Sequence, residues 1–365
     1  MVFLLIKTYA IMVVFLNLMI INVNKLIENI YLIKKKTKKE IIAVVKSNAY
    51  NTGVRYIIKY LKLANISFFA FNTYEEYLYC QDLLIDDKVL IFESLKEKQI
   101  NILPKNVRIT INNIDDIYEI KQPRIVHIQI DTMMNRMGIK NINDFKTIIK
   151  YKNINIEGLY THFVSNKYEY RKYKIQQKKF TEYISLYNAP IIHSAASSSL
   201  DKEIIGNYVR VGMDLYNDAV NVYTKLGSIR HIKKDEYVGY DALFKAKKDG
   251  YIGILNIGYY EGMKKGIVKY HDKYYPVIGK ICMNHTFIKL DKPIKNSSLL
   301  NIFPINDKIY KKDKYTIYER IVSYRNFKRI YITEYNYDLR KISKISLKKS
   351  YIIKQRTRSN KTSNA

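Results

Sequence analysis

One lysine of this sequence is placed where an amine can do chemistry. Lys46 follows five consecutive apolar residues, 41–45, and precedes a polar turn that contains Gly53. Such an apolar run predicts a strand buried in the interior of a parallel sheet. An amine at the mouth of an apolar pocket can form a Schiff base with a carbonyl compound. A lysine that only extends its amine into water is the alternative that this position alone leaves open.

A second group of residues has the chemistry of a phosphate site. Ser197 and Ser198 lie in a small, hydroxyl-rich segment, and Gly212 follows a further apolar run. Hydroxyls and backbone amides in such loops donate hydrogen bonds to phosphate. A Schiff-base lysine together with a phosphate site implies a phosphorylated aldehyde, and pyridoxal phosphate is the cofactor with that chemistry.

An alternation of strands and helices positions these residues. The apolar runs that predict strands are 41–45, 66–71, 88–92, 107–111, 125–130, 154–160, 190–193 and 208–211. Helical patterns separate them, which indicates a (β/α)₈ barrel of the TIM type. The carboxyl-terminal loops of such a barrel share one mouth, where Lys46, Arg136, His162, Ser197 and Arg210 would converge. Taken singly, the histidine could be a core residue, the arginines ion-pair partners and the serine a helix cap.

The pattern changes after about residue 220. Strand-like segments separated by turns follow, at 238–246, 251–259, 275–290 and 315–321. We therefore expect an α/β plus β protein, with an N-terminal barrel over 19–220 and a mostly β C-terminal domain over 221–345. A basic tail at 346–365 is predicted to be disordered, and the apolar residues 1–18 form a leader of uncertain role.

The amino-acid composition indicates in which cellular compartment the protein is located and which classes of binding partner it has. The formal net charge is +30, but the lysines are spread along the chain, so we expect compositional drift and no specific nucleic-acid partner. Cys80 and Cys282 form no disulfide framework and the histidines form no close pair, which favours a cytoplasmic protein without a metal site. Lys7, Thr8 and Asn17 interrupt the leader, so we favour a soluble protein over one anchored in a membrane.

Several segments of the predicted barrel resemble motifs of the alanine racemase family. They are AVVKSNAY at 43–50, DTMMNRMG at 131–138, GLYTHF at 158–163, HSAASS at 193–198 and VRVGM at 209–213. The resemblance implies that Lys46 holds pyridoxal 5'-phosphate as a Schiff base and that Arg136 faces the substrate. The further cofactor-binding residues that it implies are Tyr50, Ser197 and the Gly212 and Met213 amides at the phosphate, His162 beside the ring and Arg210 at the ring nitrogen.

The resemblance continues in the second domain, to about residue 330. The matching segments are VGY at 238–240, IGYYEG at 257–262, ICMN at 281–284 and SYR at 323–325. They imply that Tyr240 is the second catalytic base and that Tyr259 lies at the substrate entrance. The Met283 amide would contact the substrate carboxylate, and Tyr324 the cofactor phosphate. In the family this second base comes from the partner subunit, so a head-to-tail homodimer with shared active sites is expected.

The activity that the resemblance implies is the interconversion of L-alanine and D-alanine through a pyridoxal-phosphate aldimine, which supplies D-alanine for peptidoglycan. Lys46 and Tyr240 would be the two bases, one on each side of the cofactor. A tyrosine has an ordinary pKa of about 10, so nearby cations must lower it, and Arg210 and His162 are the candidates. A racemase of another amino acid and an inactive basic anion-binding homologue are the alternatives.

The sequence departs from the family pattern at Gln129, Asn284, Ala196 and the segments 51–53 and 326–328, of which the first two bear most on the chemistry. Gln129 stands where the family often carries a carbamylated lysine that steadies the arginine at position 136. An amide can hydrogen-bond Arg136 but carries no charge to compensate it. Asn284 replaces the usual aspartate. Neither change removes a catalytic group, so we expect effects on turnover or substrate range only.

Overall fold

The structure is a computed structural model that describes residues 17–163, 170–201, 203–296, 298–304, 316–333 and 352–353. The chain divides into two compact units. One comprises residues 25–217, and the other comprises the residues up to 24 together with those from 218 onwards.

The unit of residues 25–217 is built on an eight-stranded parallel sheet. Its strands are β2 (Glu40–Val44), β3 (Phe68–Phe71), β4 (Lys88–Ile91), β5 (Val107–Ile111), β6 (Arg124–Ile130), β7 (Ile154–Thr161), β8 (Ile191–His193) and β9 (Tyr208–Val211). Their order is β8-β7-β6-β5-β4-β3-β2-β9. The two end strands also meet, because the Arg210 amide donates to the Ala195 carbonyl at 3.0 Å. The predicted TIM-type arrangement of eight strands is confirmed.

Alternate residues of these strands fill the inside of the sheet. Ile42 and Val44 of β2 pack with Phe68 and Ala70 of β3 and with Leu90 of β4. These side chains are at most 7% exposed, and no helix contributes to their cluster. The cluster therefore lies on the face turned away from the helices. Both faces of the strands are covered, which explains why the sequence shows continuous apolar runs there.

Six α-helices belong to this part of the chain. They are Val23–Thr37, Val54–Leu63, Tyr74–Leu78, Glu97–Ile102, Ile142–Ile148 and Tyr170–Leu186. Thr73 followed by Glu76 is a sequence signature of a helix start and predicts a helix over 73–84. The structure has a shorter helix, Tyr74–Leu78, which begins as predicted with the Thr73 hydroxyl accepting from the Glu76 amide at 3.3 Å. It ends where the Arg55 guanidinium donates to the Tyr79 carbonyl at 2.7 Å, which satisfies a terminal acceptor of the helix.

The second unit is a mainly antiparallel sheet. Its longer strands are β1 (Asn17–Asn22), β10 (Val220–Ile232), β13 (Gly250–Leu255), β14 (Ile267–Tyr270), β15 (Lys273–Ile278), β16 (Thr286–Leu290), β17 (Leu299–Phe303) and β18 (Lys328–Ile332). Two-residue strands complete the set, namely β11 (Tyr237–Val238), β12 (Phe244–Lys245) and β19 (Ile352–Ile353). Strand β1 lies between β10 and β18 and is buried along its whole length. Part of the apolar segment near the N-terminus is thus a core strand of this unit.

One predicted strand of the second domain is wrong. Within residues 315–321 the structure has the helix Ile317–Ser323. The Thr316 side chain caps it by accepting from the Glu319 amide, and the Glu319 carboxylate in turn accepts from the Thr316 amide. This reciprocal cap fixes a helix start despite the β-branched residues that follow.

Two features of the sequence lie largely outside the described residues. Of the predicted leader only residues 17 and 18 are described, and of the basic tail only Ile352–Ile353, which pairs in parallel with β18. Among the helices of the described ranges, none combines the length and the apolar character needed to cross a membrane.

Candidate active site

Lys46 begins an unusual turn directly after β2. The next five residues, 47–51, all have positive φ, between 51° and 70°, and none of them is glycine. A left-handed conformation costs about 1–2 kcal/mol for each L-residue, so the turn needs outside support. The Asn48 side chain accepts from the Val54 amide at 2.9 Å, and the Thr52 hydroxyl donates to the Ala49 carbonyl at 2.5 Å. The left-handed turn was not foreseen from the sequence, where only the following polar, Gly-containing segment was recognised.

Glu76 holds this turn from the neighbouring helix Tyr74–Leu78. Its carboxylate accepts from the Ser47 amide at 2.7 Å and from the Asn72 amide at 2.9 Å. The two amides follow β2 and β3, so one side chain ties together the ends of adjacent strands. The sequence pointed to Glu76 only as part of a helix cap, and its role beside Lys46 was missed.

The amine of Lys46 has a lowered pKa. Burial is the main cause, and the positive charge of Arg136 adds to it, whereas Glu76 acts in the opposite direction. Both leading effects disfavour the ammonium form. A neutral amine is the form that attacks a carbonyl or accepts a proton.

Tyr50, Ser197 and Gly212 come together at one point. The Ser197 hydroxyl oxygen accepts from the Gly212 amide at 3.3 Å and from the Asp214 amide at 3.4 Å. A Cβ placed on Gly212 would lie 2.1 Å from the Tyr50 hydroxyl oxygen. Two hydroxyls and two amide donors therefore meet at a point where the absence of a side chain on Gly212 leaves room for Tyr50. This donor set fits a phosphate group.

Met213 lies between the two amides of this cradle, and its side chain is buried. The resemblance implied the Met213 amide as a phosphate donor, whereas the amide that joins Gly212 at the serine is that of Asp214. Burial, reinforced by the negative charge of Asp201, raises the pKa of the Asp214 carboxyl to about 6. The carboxyl of Asp214 was not singled out from the sequence.

Arg210 is almost completely buried and is held by the backbone of the barrel. Its Nη2 donates to the Thr161 carbonyl at 2.5 Å, and its Nη1 donates to Nδ1 and to the carbonyl oxygen of His193. These bonds use three of the five N–H groups of the guanidinium. The Nε–H and the second N–H of Nη2 make no hydrogen bond to a described residue and remain for a ligand atom at this site.

His162 lies among three cationic groups. Burial is the main cause that lowers its pKa to about 3, and the charges of Arg210, Arg136 and Lys46 lower it further. These interactions show that the four side chains converge, as expected for loops at one barrel mouth. The imidazole is consequently neutral near pH 7, so it supplies no positive charge to lower the pKa of another group.

Gln129 does not hold Arg136. The Gln129 amide nitrogen donates to the Met137 carbonyl at 3.1 Å, and its oxygen accepts from the Tyr160 hydroxyl at 2.8 Å. Both ends of the amide are therefore engaged. The guanidinium of Arg136 is exposed and makes no hydrogen bond within the part of the chain that the structure describes. The hydrogen bond between these two side chains that the sequence left possible is absent.

Three predicted site residues of the second unit are exposed on neighbouring loops. The exposed fractions of Tyr240, Tyr259 and Met283 are 66%, 57% and 55%. The Tyr259 amide donates to the Cys282 carbonyl at 3.0 Å, which joins the loops of Tyr259 and Met283. An ion pair of 2.5 Å between Lys280 and Asp241 joins the Tyr240 turn to them. The unit thus presents these side chains together.

The two remaining positions of this unit differ in their surroundings. Tyr324 is only 1% exposed, packs against Phe327 and donates its hydroxyl to the Ile302 carbonyl at 3.3 Å. Its predicted contact with a phosphate stays a prediction. Asn284 donates to the Glu261 carboxylate at 2.9 Å. An aspartate there would face a like charge, so the amide matches its partner in this chain.

Comparisons with known proteins agree with this arrangement. The family model of the alanine racemase N-terminal domain matches residues 21–220, and that of the alanine racemase C-terminal domain matches residues 219–317. The alanine racemase of Fusobacterium nucleatum is 29% identical over 289 residues, which are 71% of this chain and 81% of the relative. That of Borreliella burgdorferi is 27% identical over 334 residues, which are 80% of this chain and 88% of the relative.

Solved structures share the fold. Alanine racemase from Bartonella henselae with covalently bound pyridoxal phosphate has a TM-score of 0.79 at 20% identity, covering 86% of this chain and 99% of its own. Alanine racemase from Bacillus anthracis with bound L-Ala-P has a TM-score of 0.77 at 22% identity, covering 87% and 95%. Since the two family models together span both units, this chain belongs to the alanine racemase family, a family of isomerases.

Proposed function

We propose that this chain is an alanine racemase that interconverts L-alanine and D-alanine with pyridoxal 5'-phosphate held at the mouth of its barrel. The observation that carries the proposal is the convergence of the Tyr50 and Ser197 hydroxyls with the Gly212 and Asp214 amides, a set of groups of the kind that binds phosphate. Lys46 and Arg210 lie in the same unit and both act on the charge of His162. A phosphate cradle near a lysine of lowered pKa suits a phosphorylated aldehyde.

Each part of the cofactor has a counterpart among these residues. The residues that would hold it are Lys46 at the aldehyde, Tyr50, Ser197, Gly212, Met213 and Tyr324 at the phosphate, His162 beside the ring and Arg210 at the ring nitrogen. The bound cofactor supplies an electron-withdrawing ring that acidifies the α-proton of an amino acid joined to it. Arg210 retains its own proton there because a guanidinium is a very weak acid.

Two bases would move the α-proton. The Lys46 amine, whose pKa burial lowers, accepts a proton on one side, and the Tyr240 hydroxyl exchanges one on the other. Of the two candidate cations near this base, only Arg210 carries a positive charge near neutral pH, since the imidazole of His162 is neutral. Reversal of the two roles gives the reverse reaction.

Substrate selection would depend on three further residues. The exposed guanidinium of Arg136 attracts the carboxylate of an amino acid, and the Met283 amide contacts the same carboxylate. Tyr259 limits the size of the side chain that enters. Because Gln129 leaves Arg136 without a hydrogen bond, this arginine is free to adjust to its substrate.

A homodimer would complete the site. We propose that Tyr240, Tyr259 and Met283 of one subunit close the barrel mouth of the other in a head-to-tail arrangement. Their exposure supports this assignment, because large apolar side chains grouped on a surface mark an interaction site. D-alanine made in this way would enter peptidoglycan synthesis. A cytoplasmic location agrees with the two free cysteines, Cys80 and Cys282.

The test is the interconversion of L-alanine and D-alanine by the purified protein, beside Lys46→Ala and Tyr240→Phe. We expect racemisation by the parent protein and none by either variant. Only Lys46→Ala should lose the absorption of the covalently held cofactor. Bound cofactor without activity on any amino acid would reject the racemase, and failure to bind the cofactor would reject the site itself.

A further inference from the structure

A chain of buried polar groups leads away from Arg210 through the barrel interior. Arg210 Nη1 lies 2.8 Å from His193 Nδ1, and His193 Nε2 lies 2.8 Å from His127 Nδ1. His127 Nε2 lies 3.2 Å from the Glu157 carboxylate. At the other end of the chain of polar groups, Arg108 donates two hydrogen bonds to that carboxylate, of 2.7 and 2.9 Å. Both histidines are completely buried.

The two ends of this chain determine the direction of every hydrogen bond in it. A guanidinium only donates, so His193 Nδ1 must accept from Arg210. His193 then carries its proton on Nε2 and donates to His127 Nδ1. His127 carries its proton on Nε2 in turn and donates to Glu157, since an ionised carboxylate only accepts. One arrangement of protons satisfies all four groups.

The charge states agree with this arrangement. Burial keeps the pKa of His127 and of His193 below the ordinary value, so both rings are neutral. Burial alone would raise the pKa of Glu157, but hydrogen bonds from Arg108 and His127 outweigh it and hold the carboxylate ionised. A proton on His193 Nδ1 would point directly at the Arg210 guanidinium and would break the contact.

The packing around the rings leaves them no other orientation. Tyr160 stacks on His193 with ring centroids 4.7 Å apart and planes 10° from parallel. A Cβ on Gly158 would lie 2.3 Å from His127 Nδ1, so the absent side chain makes room for this ring. The strands therefore fix the ring planes, and what remains to be set is the position of the protons.

We propose that Glu157 is a positioning residue of the active site, which sets the tautomers of His127 and His193 and so presents Arg210 with an acceptor. The tautomer assignment concerns the folded chain alone, whereas the consequence for turnover rests on the proposed function. A purely structural role is the competing explanation, in which Glu157 only neutralises the buried charge of Arg108. The two explanations differ in which substitutions should disturb the histidines.

Two variants separate these explanations. The double variant Arg108→Leu with Glu157→Leu removes both charges of the Arg108–Glu157 pair, and the amine of Lys88, which lies 3.3 Å from Glu157 in the parent, is exposed enough to be solvated by water. The matched control, Arg108→Gln, removes the Arg108–Glu157 pair but leaves the carboxylate to accept from His127, with Lys88 still beside it. Unfolding by urea shows which variants are folded before any other measurement.

The direct readout is nitrogen-15 NMR of histidine-labelled protein in the solid state, with and without pyridoxal phosphate. The parent and Arg108→Gln should show a proton on Nε2 of both His127 and His193. In the double variant Arg210 alone still favours these tautomers and the carboxylate no longer does, so a fraction of His127 and His193 should show the other tautomer. Nδ1-protonated rings in the parent, or unchanged tautomers in the double variant, would overturn the inference.

The kinetic readout connects the tautomers to Arg210. The double variant should lower kcat about 10- to 100-fold, as the loss of outer partners of a site commonly does, with KM nearly unchanged. Arg108→Gln should stay within about threefold of the parent. An inactive parent with the expected tautomers would remove the proposed function but leave the histidine assignment standing. An active parent with unaffected tautomers in the double variant would remove this inference alone.

Discussion

The Tyr50 hydroxyl occupies the space that a side chain at position 212 would need. A Cβ on Gly212 would lie 2.1 Å from the hydroxyl oxygen and 2.6 Å from the ring carbon that carries it. The φ of Gly212 is −118°, so glycine is not required there by backbone conformation. Space alone demands it, and that space adjoins the proposed phosphate cradle.

Gly212→Ala is therefore expected to push Tyr50 out of the cradle and to weaken the binding of pyridoxal phosphate. Overpacking of this kind costs about 1–3 kcal/mol, which corresponds to about a 5- to 150-fold rise in the cofactor Kd if the whole cost falls on cofactor binding. Equilibrium titration of the cofactor-free protein measures it. Gly250→Ala is the matched control, because a Cβ there meets nothing within 4 Å. Equal affinities of both variants would contradict the phosphate cradle.

Glu76→Ala is expected to loosen the left-handed turn that begins at Lys46. Two amides, of Ser47 and Asn72, lose a charged acceptor. Hydrogen bonds to charged groups contribute about 1.5–3 kcal/mol each at most, so the free energy of unfolding should fall by about 2 kcal/mol. Urea unfolding provides the measurement. Glu75→Ala, at the exposed neighbouring position, should change it by less than about 0.5 kcal/mol. An equal loss of unfolding free energy in the two variants would show that Glu76 does not join the ends of β2 and β3.

Asp214 should make the protein less stable as the pH rises from about 4 to about 6. Its folded pKa of about 6 lies above the value of 3.8 for an unperturbed carboxyl, mainly because it is buried. The folded state thus holds a proton that the unfolded state has already lost, and ionising it costs stability on the alkaline side. Asp214→Asn should remove this slope and stabilise the protein at pH 7.

The free energy of unfolding at pH 4.5 and pH 7 tests the effect of Asp214. Asp218→Asn serves as the control for the loss of one negative charge, at an exposed position where asparagine tolerates the positive φ of 55°. If the free energy of unfolding of Asp214→Asn still falls between pH 4.5 and pH 7, another group is responsible. The same conclusion holds if Asp218→Asn removes this pH dependence equally.

Asn284→Asp, which restores the residue usual in the family, is expected to harm this chain. The new carboxylate would face Glu261, which now accepts from the Asn284 amide at 2.9 Å. Repulsion between exposed like charges is unfavourable by about 0.5–1 kcal/mol, and it would displace the loops of Tyr259 and Met283. The KM for alanine should therefore rise. Glu261→Gln in the same chain should bring KM back, and a double variant no better than the single one would argue against the repulsion.

The sequence predicted the barrel with the least ambiguity. All eight parallel strands lie where apolar runs predicted them, because strands covered on both faces are mainly apolar, and polar residues such as His127 and Glu157 interrupt them too rarely to hide the pattern. The residues that follow those strands, such as Lys46 and Arg210, could be proposed as site residues for the same reason. Helix ends and short strands were less certain, as the capped helix Ile317–Ser323 shows.

Tertiary structure alone decided how the site is supported. No glycine in the sequence predicts the left-handed turn after Lys46. The turn is stabilised by Glu76, which contacts it from the helix that follows β3. The tautomers of His127 and His193 follow from an arginine and a glutamate that are far away in sequence. Local propensity and periodicity report which elements form, since these depend on neighbouring residues. Contacts between distant segments carry no such local signal, so only the folded chain determines which polar groups meet.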